Sequence, residues 1–124
     1  MKFIDSNILA YAFYENEFQE NSRNVIRQGG LVDTLCLIEA FNIIEMQTSR
    51  EIAVQSIRGL LRSNLVMINI DINVVFEALK KSPRFKKLKF LDLIHYMVAV
   101  LNNCETIVSY DSDFDQLEIT RTEN

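Results

Sequence analysis

Apolar positions along this chain fall into short blocks separated by polar or glycine punctuation, and the blocks differ in period. Lys2 to Asp5 (KFID) is short and apolar, and the helix-capping residues Ser6 and Asn7 follow at once. This predicts a strand ending at Asp5, then a helix over Ile8–Tyr14. A second helix is predicted over Glu17–Gln28, stopped by Gly29-Gly30. Leu31–Gln47 contains LCLIEAFNIIEM, an almost wholly apolar run too long for an ordinary strand, and reads as one buried helix. Ser49–Arg62 carries helical spacing, Leu65–Ile70 (LVMINI) reads as a buried strand, and Asp71 caps a helix over Ile72–Lys81. Pro83 breaks the pattern. A further apolar helix is predicted over Phe90–Asn102, then a strand over Glu105–Tyr110. The acidic turn Asp111–Asp115 follows, then a last strand over Glu118–Arg121 and a frayed tail from Thr122 to Asn124. Strands that alternate with helices imply a mainly parallel sheet covered by helices on both faces.

Composition supports that class. The 124 residues suit a single domain over 1–124, and 48% hydrophobic content is enough for a packed interior. Only 3 Gly and 1 Pro leave too few turn residues for a many-stranded all-β fold. The formal charge of −4 and a pI near 5.0 argue against a general polyanion binder. Cys36 and Cys104 stand alone in apolar settings without CxxC or Cys/His spacing, which points to two buried thiols in a reducing compartment. Asp5 interrupts any signal-peptide pattern, and no apolar run approaches the ~20 residues that span a bilayer. The expectation is a soluble cytoplasmic protein with no membrane contact.

Four carboxylates stand out from the solvated acids. Asp5 and Asp111 each end a predicted strand, the place where open α/β sheets bind ligands. Glu39 lies within an apolar run with no basic residue nearer than Arg50, and an unpaired buried carboxylate costs several kcal/mol, roughly, unless compensated. Asp92 opens the late apolar helix, where the helix dipole favours a negative charge in any case. Asp113 adds an acid two residues after Asp111. Gathered at one sheet edge, such oxygen ligands suit a hard divalent cation such as Mg²⁺ or Mn²⁺, which relieves their mutual repulsion.

The order of these motifs resembles the PIN-domain family, particularly the VapC-type toxins of prokaryotic toxin–antitoxin pairs. The likeness rests on FIDSNILAYAF with Asp5 and Asn7, LCLIEAFNII with Glu39, LDLIHYMVAVLNN with Asp92, and Ser109-Tyr110-Asp111-Ser112-Asp113-Phe114 after a strand. The segment from Ser49 to Lys89 carries no family motif. The resemblance implies a three-layer α/β/α sandwich with a central, mainly parallel sheet. It further implies that Asp5, Glu39, Asp92 and Asp111 form a catalytic site holding one or two Mg²⁺ or Mn²⁺ ions. Asp113 is then an auxiliary ligand, and Asn7 and Ser109 support the carboxylates by hydrogen bonding. His95 departs from the family's usual small or apolar residue, and is expected in the core or at an interface.

The resemblance implies hydrolysis of RNA phosphodiester bonds by metal-activated water, and the chain offers no Ser/His/Asp set, no glycine-rich phosphate loop and a single His as another route. KKSPRFKKLK contributes Lys80, Lys81, Arg84, Lys86, Lys87 and Lys89 without an acid, just before Asp92, and is the candidate grip for an RNA backbone. Phe85 or Phe90 is available there for base stacking, and a solvated helix end is the plainer alternative. The toxin-like resemblance implies an RNA substrate, a homodimer and a small antitoxin, with Phe13, Tyr14 and Phe18 as contact candidates that are more often core. A catalytically inactive PIN-like domain that binds RNA or a protein partner is the main rival. A receiver-like Mg²⁺-binding domain lacks its acidic pair in Lys2-Phe3-Ile4, and a DNA-directed or flap-type nuclease lacks room for its DNA-binding additions.

Overall fold

The computed structural model describes residues 1–124. Its elements are β1 (Lys2–Ile4), α1 (Ser6–Tyr11), α2 (Gln19–Gln28), β2 (Leu31–Asp33), α3 (Thr34–Gln47), α4 (Arg50–Leu61), β3 (Val66–Ile68), α5 (Ile72–Lys81), α6 (Phe90–Leu101), β4 (Thr106–Val108) and β5 (Thr120–Thr122). Short 3₁₀ turns cover Ser82–Arg84 and Ser112–Gln116. All strand pairs are parallel, in the order β3-β2-β1-β4-β5. The register pairs Phe3 with both Leu31 and Ile107.

Burial on both faces explains why the central strands read as plain apolar runs. Phe3, Ile4, Val32, Ile107 and Val108 are all fully buried. Helices α1 to α4 pack as one group, α1 touching α2 and α3, and α3 touching α4, while α5 packs on α6. The two groups cover the sheet, giving the α/β/α sandwich, and the reversal of strand order sends them to opposite faces when parallel crossovers keep their usual right hand. From β1 the chain moves outward to β2 and β3, then crosses back to β4 and β5. The direction therefore reverses between β1 and β4, and a crevice opens beyond their carboxyl ends. No helix is long and apolar enough to cross a membrane.

The sequence reading needs correction in several places. Leu31–Gln47 is not one helix: Leu31–Asp33 forms β2 before α3 begins. The helix is not buried as expected, Ile38 being 58% and Met46 85% exposed, but its sequence stays apolar even on the outer face, so the hydrophobic run carries no mark of the change from the buried strand. The Asp33 side chain marks it instead, accepting from the Cys36 amide at 2.8 Å as the cap of α3. The segment expected to be a buried strand at Leu65–Ile70 is a three-residue edge strand with Val66 41% exposed. Helix α1 begins at Ser6 and ends at Tyr11, with Asp5 as its cap. The last strand falls at Thr120–Thr122, so the tail expected to fray is tied down: Lys2 Nζ donates to the Asn124 carbonyl at 3.0 Å. Phe13, Tyr14 and Phe18 are half-buried rather than free for contacts; Phe13 packs on the core and Phe18 stacks on Tyr11 and Tyr110. Both cysteines are buried free thiols, as expected.

Gly30 joins α2 to β2 at φ +156°, and a Cβ there would lie 2.8 Å from Ile4 Cδ1 and 2.9 Å from the Lys2 carbonyl. The second contact is backbone of β1 and cannot move aside. Gly30→Ala is therefore expected to destabilise the protein by about 1–3 kcal/mol, read as a lower urea midpoint at unchanged m-value. Gly29→Ala, with φ +85° and no heavy atom near its Cβ, tests strain without the clash.

Candidate active site at the switch point

Asp5 lies directly after β1, 5% exposed, with both oxygens engaged. Oδ1 accepts from the Ser6 amide at 2.7 Å, which starts α1, and Oδ2 accepts from Ser109 Oγ at 2.7 Å. Ser109 follows β4 and is fully buried. Its hydroxyl oxygen accepts in turn from the Asp111 amide at 3.0 Å and from Asn7 Nδ2 at 3.3 Å. Asn7 Oδ1 accepts from the Tyr110 amide at 3.4 Å. Asn7 and Ser109 thus bind the ends of β1 and β4 together across the crevice. Burial pushes the Asp5 carboxyl above the usual range, with Glu39 adding to the rise and the His95 charge and the bonds from Ser109 and Ser6 opposing it.

Asp92 sits in the first turn of α6, and its carboxylate lies close to those of Asp111 and Asp113, all three ligand atoms falling within 4.8 Å of one another. The Asp111 Oδ1 atom also accepts from the Asp113 amide at 2.9 Å. Asp92 Oδ2 is buried and has no hydrogen-bond partner. Burial, then the negative charges of Asp5 and Asp111, push the Asp92 carboxyl up to about 6, against the pull of His95 and Lys89.

Glu39 comes from α3 and meets a partner the sequence did not offer. His95, 1% exposed on α6, places Nε2 2.6 Å from Glu39 Oε1 and Nδ1 2.7 Å from Asp33 Oδ2. Both ring nitrogens face carboxylate oxygens, so both donate, and the ring is the cation of a buried ion pair. Burial pulls the His95 imidazolium down; the bonds to the Asp33 and Glu39 carboxylates outweigh it and hold the ring well above its ordinary value. Glu39 is accordingly neither unpaired nor enclosed: it has a histidine partner and its side chain is 25% exposed. Arg50, the nearest base in sequence, pairs with Glu45. The Cys36 thiol lies 3.6 Å from His95 Nδ1, and burial pushes it up to about 12, so it is a neutral packing group.

The acids therefore arrive as two sets, Asp92 with Asp111 and Asp113, and Asp5 with Glu39, Cys36 and His95. Electrostatic coupling joins the sets through Asp5 and Asp92. Asp33 was missed by sequence reasoning. A signal existed, because Asp33 follows Leu31-Val32 as Asp5 follows Phe3-Ile4, each strand running into a capping aspartate.

The basic stretch is split. Lys80 pairs with Glu77 at 3.2 Å on α5, and Lys81 ends that helix. Arg84, Lys86 and Lys87 line an open groove with Pro83, Phe85 and Gln116. Gln116 ends the 3₁₀ turn that begins at Ser112, directly after Asp111 in sequence. Lys89 caps α6 three residues before Asp92.

Comparison with known proteins agrees with this architecture. The PIN domain family model matches residues 2–119. No curated protein matches the chain by sequence. Among solved structures, the VapC20 sarcin–ricin loop cleaving toxin of Mycobacterium tuberculosis superposes with a TM-score of 0.85 at 12% identity, over 97% of each chain. VapBC2 of Rickettsia felis, bound to a promoter DNA fragment, gives 0.75 at 15% identity over 98% of this chain and 96% of that one. A toxin–antitoxin complex from Klebsiella pneumoniae gives 0.71 at 16% identity, covering 95% and 93%. With its parallel sheet, the acids at its switch point and a family match over nearly its full length, the chain belongs to the PIN domain family.

Proposed function

We propose that the protein is a divalent-metal-dependent endoribonuclease and the toxin of a toxin–antitoxin pair. The observation that carries the reading is Asp92, whose carboxylate lies within 4.8 Å of those of Asp111 and Asp113 and whose buried Oδ2 has no hydrogen-bond partner, in a PIN fold. Carboxylate oxygens alone suit a hard cation, Mg²⁺ or Mn²⁺, and an oxygen without a donor is what such an ion satisfies. Asp5, Glu39, Asp92 and Asp111 would hold one or two ions, with Asp113 auxiliary. Bound there, the cation supplies Lewis acidity, neutralising charge that builds on a phosphoryl oxygen and easing deprotonation of water.

The residues of the chain divide the remaining tasks. Ser109 and Asn7 keep Asp5 and Asp111 in register by fixing the ends of β1 and β4. Arg84, Lys86 and Lys87 grip the phosphate backbone beside the acids, with Phe85 as a stacking face and Lys89 close to Asp92. Lys80 and Lys81, on α5, add to the basic field from farther along the same strip. The fold neighbours include toxin–antitoxin complexes, which supports a small antitoxin as partner, and the toxin reading carries with it a homodimer and a cytoplasmic setting. The inactive PIN-like domain remains the rival reading, and cleavage separates the two.

The purified protein is expected to cut mixed-sequence RNA with Mg²⁺ or Mn²⁺ and to stop on addition of EDTA. Asp5→Asn and Asp92→Asn should each lower the rate by roughly 100-fold or more, about 2.7 kcal/mol in barrier. Folded wild-type protein that leaves every RNA intact with either metal would support the binding-only domain. Arg84→Ala with Lys87→Ala should weaken RNA binding and flatten the slope of log affinity against log salt by roughly 1.4.

The same crowding of charge predicts the stability of the metal-free protein. Folded Asp92 keeps its proton up to about pH 6, whereas the unfolded chain releases it near the ordinary aspartate value of 3.8. Between these pH values folding takes up a proton, so this contribution to stability falls as pH rises through the window. After allowance for partial exposure, Asp92→Asn is expected to stabilise the metal-free protein at pH 7.5 by about 1–2 kcal/mol. Urea titrations in EDTA at pH 5 and pH 7.5 measure it, the variant's advantage shrinking at the lower pH.

A further inference from the structure

We propose that His95 is a positioning residue which fixes the orientation of the Glu39 carboxylate toward the cation, with Asp33 as its anchor. The inference rests on the metal-site reading above and adds two residues to it. The side chains form an unbroken chain. The Cys36 amide donates to Asp33 Oδ1 at 2.8 Å, His95 Nδ1 donates to Asp33 Oδ2 at 2.7 Å, and His95 Nε2 donates to Glu39 Oε1 at 2.6 Å. Asp33 caps α3 and Glu39 projects from the same helix, so the chain leaves α3, passes through α6 and returns to α3.

Three consequences follow from that loop. Asp33 has both oxygens committed and is fully buried, so it supports the site and does not ligate. Glu39 has Oε1 held by His95, which leaves Oε2 as its oxygen without a protein donor. His95 also lies one helical turn after Asp92 on α6, so its bond to Glu39 sets the spacing between ligands from α3 and α6. Freed of His95, a Glu39 side chain that is 25% exposed and next to the Asp5 carboxylate would turn toward water. The ring is packed as well as bonded, tilted against Phe3 with centroids 5.7 Å apart, so its position is not adjustable.

Two substitutions separate positioning from mere support, because each keeps one of the two bonds. In His95→Asn the amide reaches the place of Nδ1, keeping Asp33 and losing Glu39; in His95→Gln it reaches the place of Nε2, keeping Glu39 and losing Asp33. The probe is Mn²⁺ alone, its affinity read from the free-ion signal in electron paramagnetic resonance, with urea unfolding in EDTA to establish that each variant folds. His95→Asn is expected to weaken Mn²⁺ binding roughly 10–100-fold, while His95→Gln stays within a few-fold of wild type. In a Glu39→Gln background, His95→Asn should cost nothing further, since it acts through Glu39. Equal losses in the two variants, or a loss that persists without Glu39, would overturn the proposal. If His95→Asn does not fold, His95→Gln decides: affinity near wild type supports positioning, and a loss as large as that of Glu39→Gln refutes it. Wild-type protein that binds no Mn²⁺ would instead overturn the metal-site reading and this inference with it. Mn²⁺ binding that needs Glu39 but ignores His95 would sink the inference alone.

Discussion

Asp5 is a carboxylate almost wholly withdrawn from water, and the structure is arranged to make that tolerable. An ionised group in such a position is costly unless hydrogen bonds replace its hydration. The Ser6 amide and the Ser109 hydroxyl supply them, each at 2.7 Å. A hydrogen bond to a charged group is worth about 1.5–3 kcal/mol, and the penalty for removing one partner is of that size or larger. The Ser109 bond is available only if β4 lies beside β1 in the observed register, Ile4 opposite Val108. Sheet pairing and site assembly are therefore one requirement. A slip of one residue would carry Ser109 to the other face and strand Asp5.

The same logic extends outward from that bond. Ser109 orients the Asp111 amide, Asp111 orients the Asp113 amide, and Asp92 is brought against them by α6. The outcome is an excess of negative charge that hydrogen bonding only partly absorbs, the unpartnered Asp92 Oδ2 being the residue of the imbalance. On the other side, His95 absorbs the charge of Asp33 and Glu39 by standing between them. One side of the cluster is thus partly balanced by a cation of the protein itself, and the other keeps its excess of negative charge.

Much of this was legible beforehand. Asp5, Glu39, Asp92, Asp111, Asn7 and Ser109 were singled out from strand ends, helix starts and motif order, and the structure brings their side chains to one end of the sheet. The alternation of strands and helices gave the layered fold. Glu39 was noticed for a wrong reason: an apolar neighbourhood in sequence became partial exposure and a histidine partner in space. The joint between β2 and α3 is invisible in Leu31–Gln47, because a strand buried on both faces and a helix that is apolar even where it is exposed show the same run. With it was lost Asp33, whose role depends on that joint.

Sequence alone determines what is local. Caps act over two or three residues, as Asp33, Ser49 and Asp71 do, and helical periodicity is a matter of three or four. Glycine, proline and charge runs punctuate at the same range, so elements and their chemistry could be read in order along the chain. Which groups meet is decided elsewhere. Asp5 and Ser109 are 104 residues apart, His95 and Asp33 are 62, and His95 and Glu39 are 56. Those contacts exist only after the sheet has set its order and α6 has packed on it. A histidine that looks like ordinary core in the sequence becomes, through that packing, the group that ties a buried acid to a partly exposed one.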